Sequence, residues 1–440
     1  MRKTDDSAYP ASWYAATRDQ APERPVLSGT REVDVAVVGG GFAGLHVARL
    51  LARTGRRVAV LERRCVGWGA SGRNGGFVGA GFAERSAAIV AKVGRDHARA
   101  LYTQSMRGRA VVRAVIEEAN RPGLLMGEGR LVVARTDQGA GFADATRAMA
   151  DTLGATFEPW TTEQVQAVAT TDRYFQAVHD AQSFQIHALN LALFLAAETE
   201  RHGGQVFEAS EGRALVREGT RWRLSTALGE IRAPHVVLAG SADLGPVHRR
   251  LAAAVLPVAT YVAVTAKLGP KIAEAVRWAG SISDTRRAGD YYRVIDGDRF
   301  LWGGRITTDT SEPARLREWM RGDILSVYPQ LSDAPIEWAW PGTMGYAPHR
   351  MPQVGEIEPG LWISSAFGGS GLGPTAAAAD AIAAGITGED DRWKLFAPWG
   401  TPWAGGFAGR AATQLVYWKM QLADRIDEAR QAKNALALRA

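Results

Sequence analysis

Residues 33–62, VDVAVVGGGFAGLHVARLLARTGRRVAVLE, decide how this chain folds. Residues 33–38 are rich in Val, the composition of a parallel strand buried on both faces. The glycines follow at once. Leu45, Ala48, Leu51 and Ala52 then fall at helical spacing before Gly55 stops the run. A second strand over residues 57–61 ends on Glu62. The pattern predicts a βαβ unit with Gly39-x-Gly41-x-x-Gly44 at its first turn and an acid eighteen residues past the last glycine.

Each position suits a dinucleotide. Gly39 permits the tight turn, Gly41 removes the Cβ that would hold a pyrophosphate off the backbone, and Gly44 lets helix and strand approach closely. The helix N-terminus offers unpaired N–H groups and a positive dipole end to the phosphates. Glu62, at the carboxyl end of the second strand, can accept from both hydroxyls of an adenosine ribose. With 49 glycines in 440 residues a bare motif means little, and the register of strand, helix, strand and acid is what gives it weight.

Composition sets the limits. The chain has room for two sizeable domains, and 46% hydrophobic with 22% charged residues is ordinary globular protein. Residues 1–6, MRKTDD, lack the apolar core of a signal peptide, and no uncharged apolar run approaches eighteen residues, so a cytoplasmic, non-spanning protein is expected. The single cysteine, Cys65, excludes an internal disulfide, a cysteine-cluster metal site and an iron–sulfur cluster, and no metal is expected. The net charge of +6 is spread along the chain, without the basic block a nucleic-acid partner would call for.

In chain order, residues 1–32 read as an arm lying on the body. Residues 66–77 hold five glycines in the ten positions 67–76, with Ser71, Arg73 and Asn74 among them, and read as a loop with its backbone against a ligand. The spacing predicts one helix from about 84 to 118, a strand over 129–134, and a helix from about 185 to 202. Further strands are expected over 205–208, 221–226 and 233–240. Residues 256–340 are strand-rich, a second and mostly antiparallel domain inserted into the first. A strand over 361–366 leads into a second glycine-rich turn, Gly368 to Thr375, with its helix over 376–384. The tail turns helical from about 411 to 435, and its Tyr417, Trp418, Leu422 and Ile426 form one apolar stripe. Packing against the body would bury that stripe; a partner or membrane surface is the alternative.

These segments together resemble a known family. Residues 35–62, GWGASGRNGG at 67–76, QIHALNLALFLAAETERHGGQVFE at 185–208, WGGR at 302–305 and the turn at 368–375 are similar to the FAD-dependent D-amino acid oxidase superfamily. GWGASGRNGG and Ser12-Trp13-Tyr14 look like the branch that contains γ-glutamylputrescine oxidase. The resemblance implies an α/β fold: a Rossmann-type FAD-binding domain, interleaved with a mostly antiparallel α+β substrate domain. The FAD-binding domain would comprise residues 33–83, 184–255 and 341–392, the substrate domain 84–183 and 256–340, and the helical tail 393–440. FAD is expected to be non-covalent, because relatives that attach it use a cysteine in the C-terminal half, where this chain has none.

The resemblance also implies site residues. Gly39, Gly41, Phe42 and Ala43 fall at the pyrophosphate, and Glu62 with Arg63 at the AMP ribose. Ala70, Ser71, Arg73, Asn74, Gly75 and Gly76 run toward the flavin ring. Gly368, Gly369, Ser370, Gly371, Leu372, Gly373 and Thr375 meet the ring's N1/C2=O edge, where a helix N-terminus would stabilise negative charge. Gly212 and Gly240 complete the cofactor set.

One departure bears on the substrate. The amino acid oxidases carry an Arg in a Gly-x-Arg-Pro run that clamps the substrate carboxylate, whereas residues 340–346 here put Met344 at that place. The resemblance therefore points to an amine, γ-glutamyl-polyamine-like or another primary or secondary amine. Arg293, Arg305 and Arg350 are the candidates to replace the clamp, and Tyr261, His187 and His349 are further cavity candidates beside Met344. Oxygen or an electron-accepting partner would re-oxidise the flavin, and sequence does not place Lys267 or Lys271 beside it. The open alternatives are a flavoenzyme acting on an unusual amino or imino acid in a biosynthetic pathway, and an FAD-binding structural or regulatory subunit.

Overall fold

The computed structural model describes residues 9–287 and 289–437. The charged opening at 1–6 and the last three residues of the tail lie outside the described residues.

The Val-rich runs form the centre of a six-stranded sheet in the order Gln353–Glu358, Leu361–Ser365, His235–Leu238, Val35–Val38, Val58–Leu61 and Gln205–Phe207. All neighbours are parallel except the antiparallel edge pair of Gln353–Glu358 with Leu361–Ser365. Val35–Val38 and Val58–Leu61 are buried at every position, as a parallel sheet covered on both faces requires. Helices Phe42–Arg53 and Ala188–Arg201 pack together on this sheet. Helix Leu372–Thr387 wedges between Phe42–Arg53 and Arg95–Ala119. Its run of alanines permits this: it is buried nearly all round, and a Cβ on Gly108 of the neighbouring helix would strike the Gly373 carbonyl.

A second, nine-stranded sheet runs Ile336–Tyr346, Leu256–Thr265, Arg299–Thr307, Tyr291–Ile295, Ser281–Asp284, Leu125–Val133, Ala177–Ile186 and Phe77–Val78, with Glu158–Trp160 also on Ala177–Ile186. It is antiparallel apart from Ser281–Asp284 beside Leu125–Val133. Its outer face is covered by a separate core in which Tyr292 stacks on Trp302 at 4.0 Å and Phe300 on Tyr328. The sheet cuts across the boundaries expected from sequence. Strand Ala177–Ile186 spans residue 184, strand Ile336–Tyr346 spans residue 340, and Phe77–Val78 belongs to this sheet.

Three segments differ from the sequence reading. The helix expected over 84–118 is two, Ser86–Val93 and Arg95–Ala119, because Gly94 between them takes φ +80°. The helix after the second glycine turn begins at Leu372, so residues 372–375 are its first turn. Within the arm, Ser12 caps helix Trp13–Ala16, whose Trp13 and Tyr14 are buried, and strand Gly29–Glu32 joins a four-stranded sheet beside Gly229–Ala233.

Candidate functional site

The carboxyl ends of the parallel strands open onto a cavity of about 460 Å³, the position at which open α/β sheets bind ligands. Ala239 and Ser241 follow one strand into its lining, Phe367 another, and Gly41 to Ala43 a third. Ser241 at φ +51° and Ala366 at φ +59° are non-glycine residues in the left-handed region at two of these strand ends.

The wall on the side of the six-stranded sheet is backbone and small side chains. Gly39 takes φ +115°, and a Cβ there would lie 2.7 Å from the Ala239 carbonyl oxygen. Gly41 faces Ser71, whose Oγ accepts from the Phe42 N–H at 2.9 Å. Asn74 explains why its own loop holds its shape: Nδ2 donates to the Ala70 and Ser71 carbonyls, and Oδ1 accepts from the Gly76 N–H at 2.7 Å. Arg73 stacks on Trp68 at 3.8 Å and donates to the Trp68 carbonyl, but its buried Nη2 has no partner, and burial pulls its pKa down to about 10. Gly368, at φ +60°, lies flat on Tyr346, where any Cβ would meet the ring at 2.5 Å. Gly371 to Thr375, the N-terminal end of helix Leu372–Thr387, completes this wall.

Side chains of the nine-stranded sheet make the opposite wall. Strand alternation selects Thr260 for the cavity and turns Tyr261 to the outer core, where its OH donates to the Ser311 carbonyl. Tyr291 packs under Gly75 and Gly303, and burial raises its pKa to about 12, so it stays a neutral phenol. Arg286 donates to Asp284 at 2.7 Å and to Asp290 at 2.5 Å, and burial pushes the Asp290 carboxyl up. Arg287 is held by Asp424 at 2.6 Å and Asp427 at 3.1 Å. Arg130 differs. Its Nη2 donates to Ser283 Oγ at 3.3 Å, its Nε has no partner, and no carboxylate lies within ion-pairing distance among the described residues. Asp180, the acid that influences it most, is already bonded to Arg109, Ser183 Oγ and the Gln182 N–H, and burial lowers the Arg130 pKa.

Of the expected residues, Gly41, Phe42, Ala43, Ala70, Ser71, Arg73, Asn74 and Gly75 line this cavity together with Met344 and the turn at 368–375. Others stand behind or away from it. Glu62 braces the turn, accepting at 2.8 Å from the Gly40 and Arg64 N–H groups, and Arg63 pairs with Asp243. Gly76 takes φ +76° beside the Ile186 carbonyl. Gly240 faces Leu244 rather than the cavity, and Gly212 packs among Leu224, Val247 and Val38. His187 caps helix Ala188–Arg201 through Nδ1 and packs on Trp13 and Tyr14, and His349 Nδ1 accepts from the Met351 N–H, so neither reaches the cavity. None of the clamp candidates lines the cavity: Arg293 donates through Nη2 to Tyr14 and the Ile186 carbonyl while its buried Nε and Nη1 have no partner, Arg305 pairs with Asp323, and Arg350 donates to the Ala83 carbonyl. No lysine among the described residues lines the cavity, Lys271 pairing with Asp333 and Lys267 being exposed. Sequence reasoning missed Arg130, Ser283, Asp290 and Tyr291; the first two, 153 residues apart in sequence, meet because strand Leu125–Val133 pairs with Ser281–Asp284.

Comparison with known proteins agrees with this architecture. The family model described as FAD dependent oxidoreductase, DAO, matches residues 34–384. The chain is 30% identical over 395 residues to the gamma-glutamylputrescine oxidoreductase of Escherichia coli (strain K12), covering 88% of this chain and 91% of that protein. It is 29% identical over 404 residues to a probable oxidoreductase, OrdL, of Haemophilus influenzae (strain ATCC 51907 / DSM 11121 / KW20 / Rd), covering 88% and 90%. In fold it is similar to the crystal structure of glycine oxidase from Geobacillus kaustophilus, with a TM-score of 0.70 at 21% identity over 84% of this chain and 98% of that one.

Proposed function

The chain belongs to the FAD-dependent oxidoreductase family, DAO, and on that premise we propose that it oxidises an amine at its C–N carbon, a γ-glutamyl-polyamine-like or other primary or secondary amine. Bound FAD supplies the hydride acceptor, and the imine released from the substrate hydrolyses in water. The residues present fit that group. Gly41 leaves the turn bare, the N-terminal end of helix Leu372–Thr387 faces the same space, and Arg73 has a buried N–H without an acceptor. We assign Gly39, Gly41, Phe42, Ala43 and Arg73 to the pyrophosphate, Glu62 and Arg63 to the adenosine ribose, residues 70–76 to the path toward the ring, and 368–375 to the ring edge. Non-covalent binding is supported by Cys65, which is buried with its thiol pushed up to about 12 and lies outside the cavity.

Met344 carries the amine reading. It lies on the cavity wall, at the position where the resemblance puts the carboxylate-clamping Arg of the amino acid oxidases, and Arg293, Arg305 and Arg350 do not line that cavity. A buried carboxylate without its partner is strongly disfavoured. The chain's own task is then to orient the substrate carbon and exclude water, with the neutral Tyr291 and Thr260 offering hydrogen bonds and Met344 an apolar contact. A second reading, an unusual amino or imino acid, is favoured by one observation, the uncompensated Arg130. Anaerobic stopped-flow reduction with matched pairs decides between them. Amines with a long or γ-glutamyl-type body should bleach the flavin faster than glycine, sarcosine or D-alanine, and the rate should rise with pH as the amine loses its proton. Faster bleaching by the small amino acids overturns the amine assignment.

A further inference from the structure

Helix Gly406–Ala437 lies beyond the family-matched residues and carries a stripe of exposed apolar side chains. The side facing the body is mostly polar, and Tyr417 of the expected stripe lies half-buried on that side instead of with Trp418, Leu422 and Ile426. Gln414 Oε1 accepts from the Thr307 and Thr308 hydroxyls and the Thr308 N–H, Arg410 donates to the Thr308 carbonyl, Asp424 and Asp427 hold Arg287, and Glu428 holds Arg135. Its apolar side faces outward. At 100° per residue, positions 407, 415, 418, 422 and 426 fall within about one third of the helix circumference. They are Phe407 (87% exposed), Leu415 (61%), Trp418 (58%), Leu422 (59%) and Ile426 (42%). The two aromatics alone leave roughly 300 Å² of ring surface in water. With the three aliphatic side chains the stripe reaches the size at which an exposed patch marks an interaction site.

Charge selects the occupant. All three acids of the described helix, Asp424, Asp427 and Glu428, are consumed by Arg287 and Arg135 on the body. Its exposed Lys419, Arg425 and Arg430 make no ion pair among the described residues. At the helical repeat, Arg425 falls on one edge of the stripe, Lys419 on the other, and Arg430 just beyond it. A second copy of this helix would bring its own free cations against these. An anionic lipid surface complements them, taking Trp, Phe and Leu into the headgroup boundary while Lys and Arg snorkel to the phosphates. No helix of the described residues is long and apolar enough to cross a membrane, which leaves docking in the plane.

We propose that Gly406–Ala437 docks this protein onto anionic phospholipid through the Phe407–Leu415–Trp418–Leu422–Ile426 stripe and its flanking cations. Because Arg287 both lines the cavity and bonds to Asp424, the docked helix is joined directly to the cavity wall. The test is flotation of the full-length flavin-bound protein with phosphatidylcholine vesicles, with and without phosphatidylglycerol. Binding is expected only with phosphatidylglycerol and should weaken as salt rises. Trp418→Asp with Leu422→Asp should abolish it. Lys419→Gln, Arg425→Gln and Arg430→Gln together should weaken it about a hundredfold. These positions are exposed, and flavin content with circular dichroism checks that each variant is folded. Absence of flotation with anionic vesicles, or flotation unchanged in the folded variants, overturns the proposal. Self-association in sedimentation velocity that Trp418→Asp abolishes, without flotation, assigns the stripe to a second copy and overturns it equally.

Discussion

The two walls of the cavity are built on opposite principles. One is backbone: Gly39, Gly41 and Gly368 stand where a Cβ would collide with a carbonyl, a hydroxyl or a ring. The other is side chain: Arg130, Asp290, Tyr291 and Met344 stand out from a pleated sheet whose alternation decides which residues reach the cavity. A backbone wall recognises what is common to every dinucleotide and tolerates little change. A side-chain wall can be rewritten one residue at a time, and it is to this wall that we assign substrate preference.

The largest effect should come from the backbone wall. Gly41→Val puts its Cβ 2.9 Å from Ser71 Oγ and fills the place we assign to the pyrophosphate. The expected product is a folded but colourless protein. Wild type should be yellow and should release all of its flavin into the supernatant on acid precipitation. A yellow Gly41→Val protein, or yellow precipitated wild type, would break the assignment of this wall to a non-covalent dinucleotide.

Next in size is a pH effect, which comes from two buried neutral histidines outside the cavity lining. His46 sits in helix Phe42–Arg53 with neither ring nitrogen bonded, and His187 packs behind the arm; burial depresses both to about 3. The unfolded chain protonates these rings near pH 6.5, so their stability contribution is present above that pH. It is lost as pH falls toward 3, at about 1.4 kcal/mol per pH unit for each histidine. Urea unfolding at pH 7, 6, 5 and 4 should show the decline, and His46→Leu should flatten it by one histidine's share. An unchanged slope would place the acid sensitivity elsewhere.

These histidines also show what a sequence conceals. The glycine wall was legible because its demands are local: a turn, a close approach and an acid at fixed spacing all lie within thirty residues. The sheet wall was not, because it depends on partners far apart. Arg130 meets Ser283 across 153 residues, and Arg287 meets Asp424 across 137. Tyr261 was a reasonable cavity candidate, yet one step of strand alternation gives the place to Thr260. His187, read as a cavity candidate, is a helix cap instead. The C-terminal helix misleads for a different reason: the usual rule puts apolar residues inside, and ion pairs and amide contacts hold this helix with Trp418, Leu422 and Ile426 outside.

Arg130→Met tests the side-chain wall. Removing a charge-assisted hydrogen bond costs about 1.5–3 kcal/mol, so an amine substrate that carries a carboxylate should lose roughly ten- to a hundredfold in kcat/KM. A neutral amine of the same length should be unaffected, and flavin content should not change. Equal losses for both substrates would mean that Arg130 supports the sheet and recognises nothing.

The smallest expected effect comes from an acid that stands behind the backbone wall. Glu62 accepts at 2.8 Å from two backbone N–H groups, of Gly40 and Arg64, and these bonds only partly counter the burial that raises its pKa. It therefore has two separable tasks, bracing the glycine turn and, as we propose, accepting from the ribose hydroxyls. Glu62→Ala removes both and should weaken FAD by about 1–3 kcal/mol, a shift of roughly ten- to a hundredfold in Kd. Glu62→Gln keeps an oxygen for the turn but loses the charge and one acceptor, so it should fall between wild type and Ala. Flavin titration of the apoprotein, run beside urea unfolding without flavin, separates the tasks. If Glu62→Ala loses stability without flavin yet binds FAD as tightly as wild type, the acid is only a brace for the turn. The adenosine end of the cofactor would then have to be held by Arg63 and the backbone.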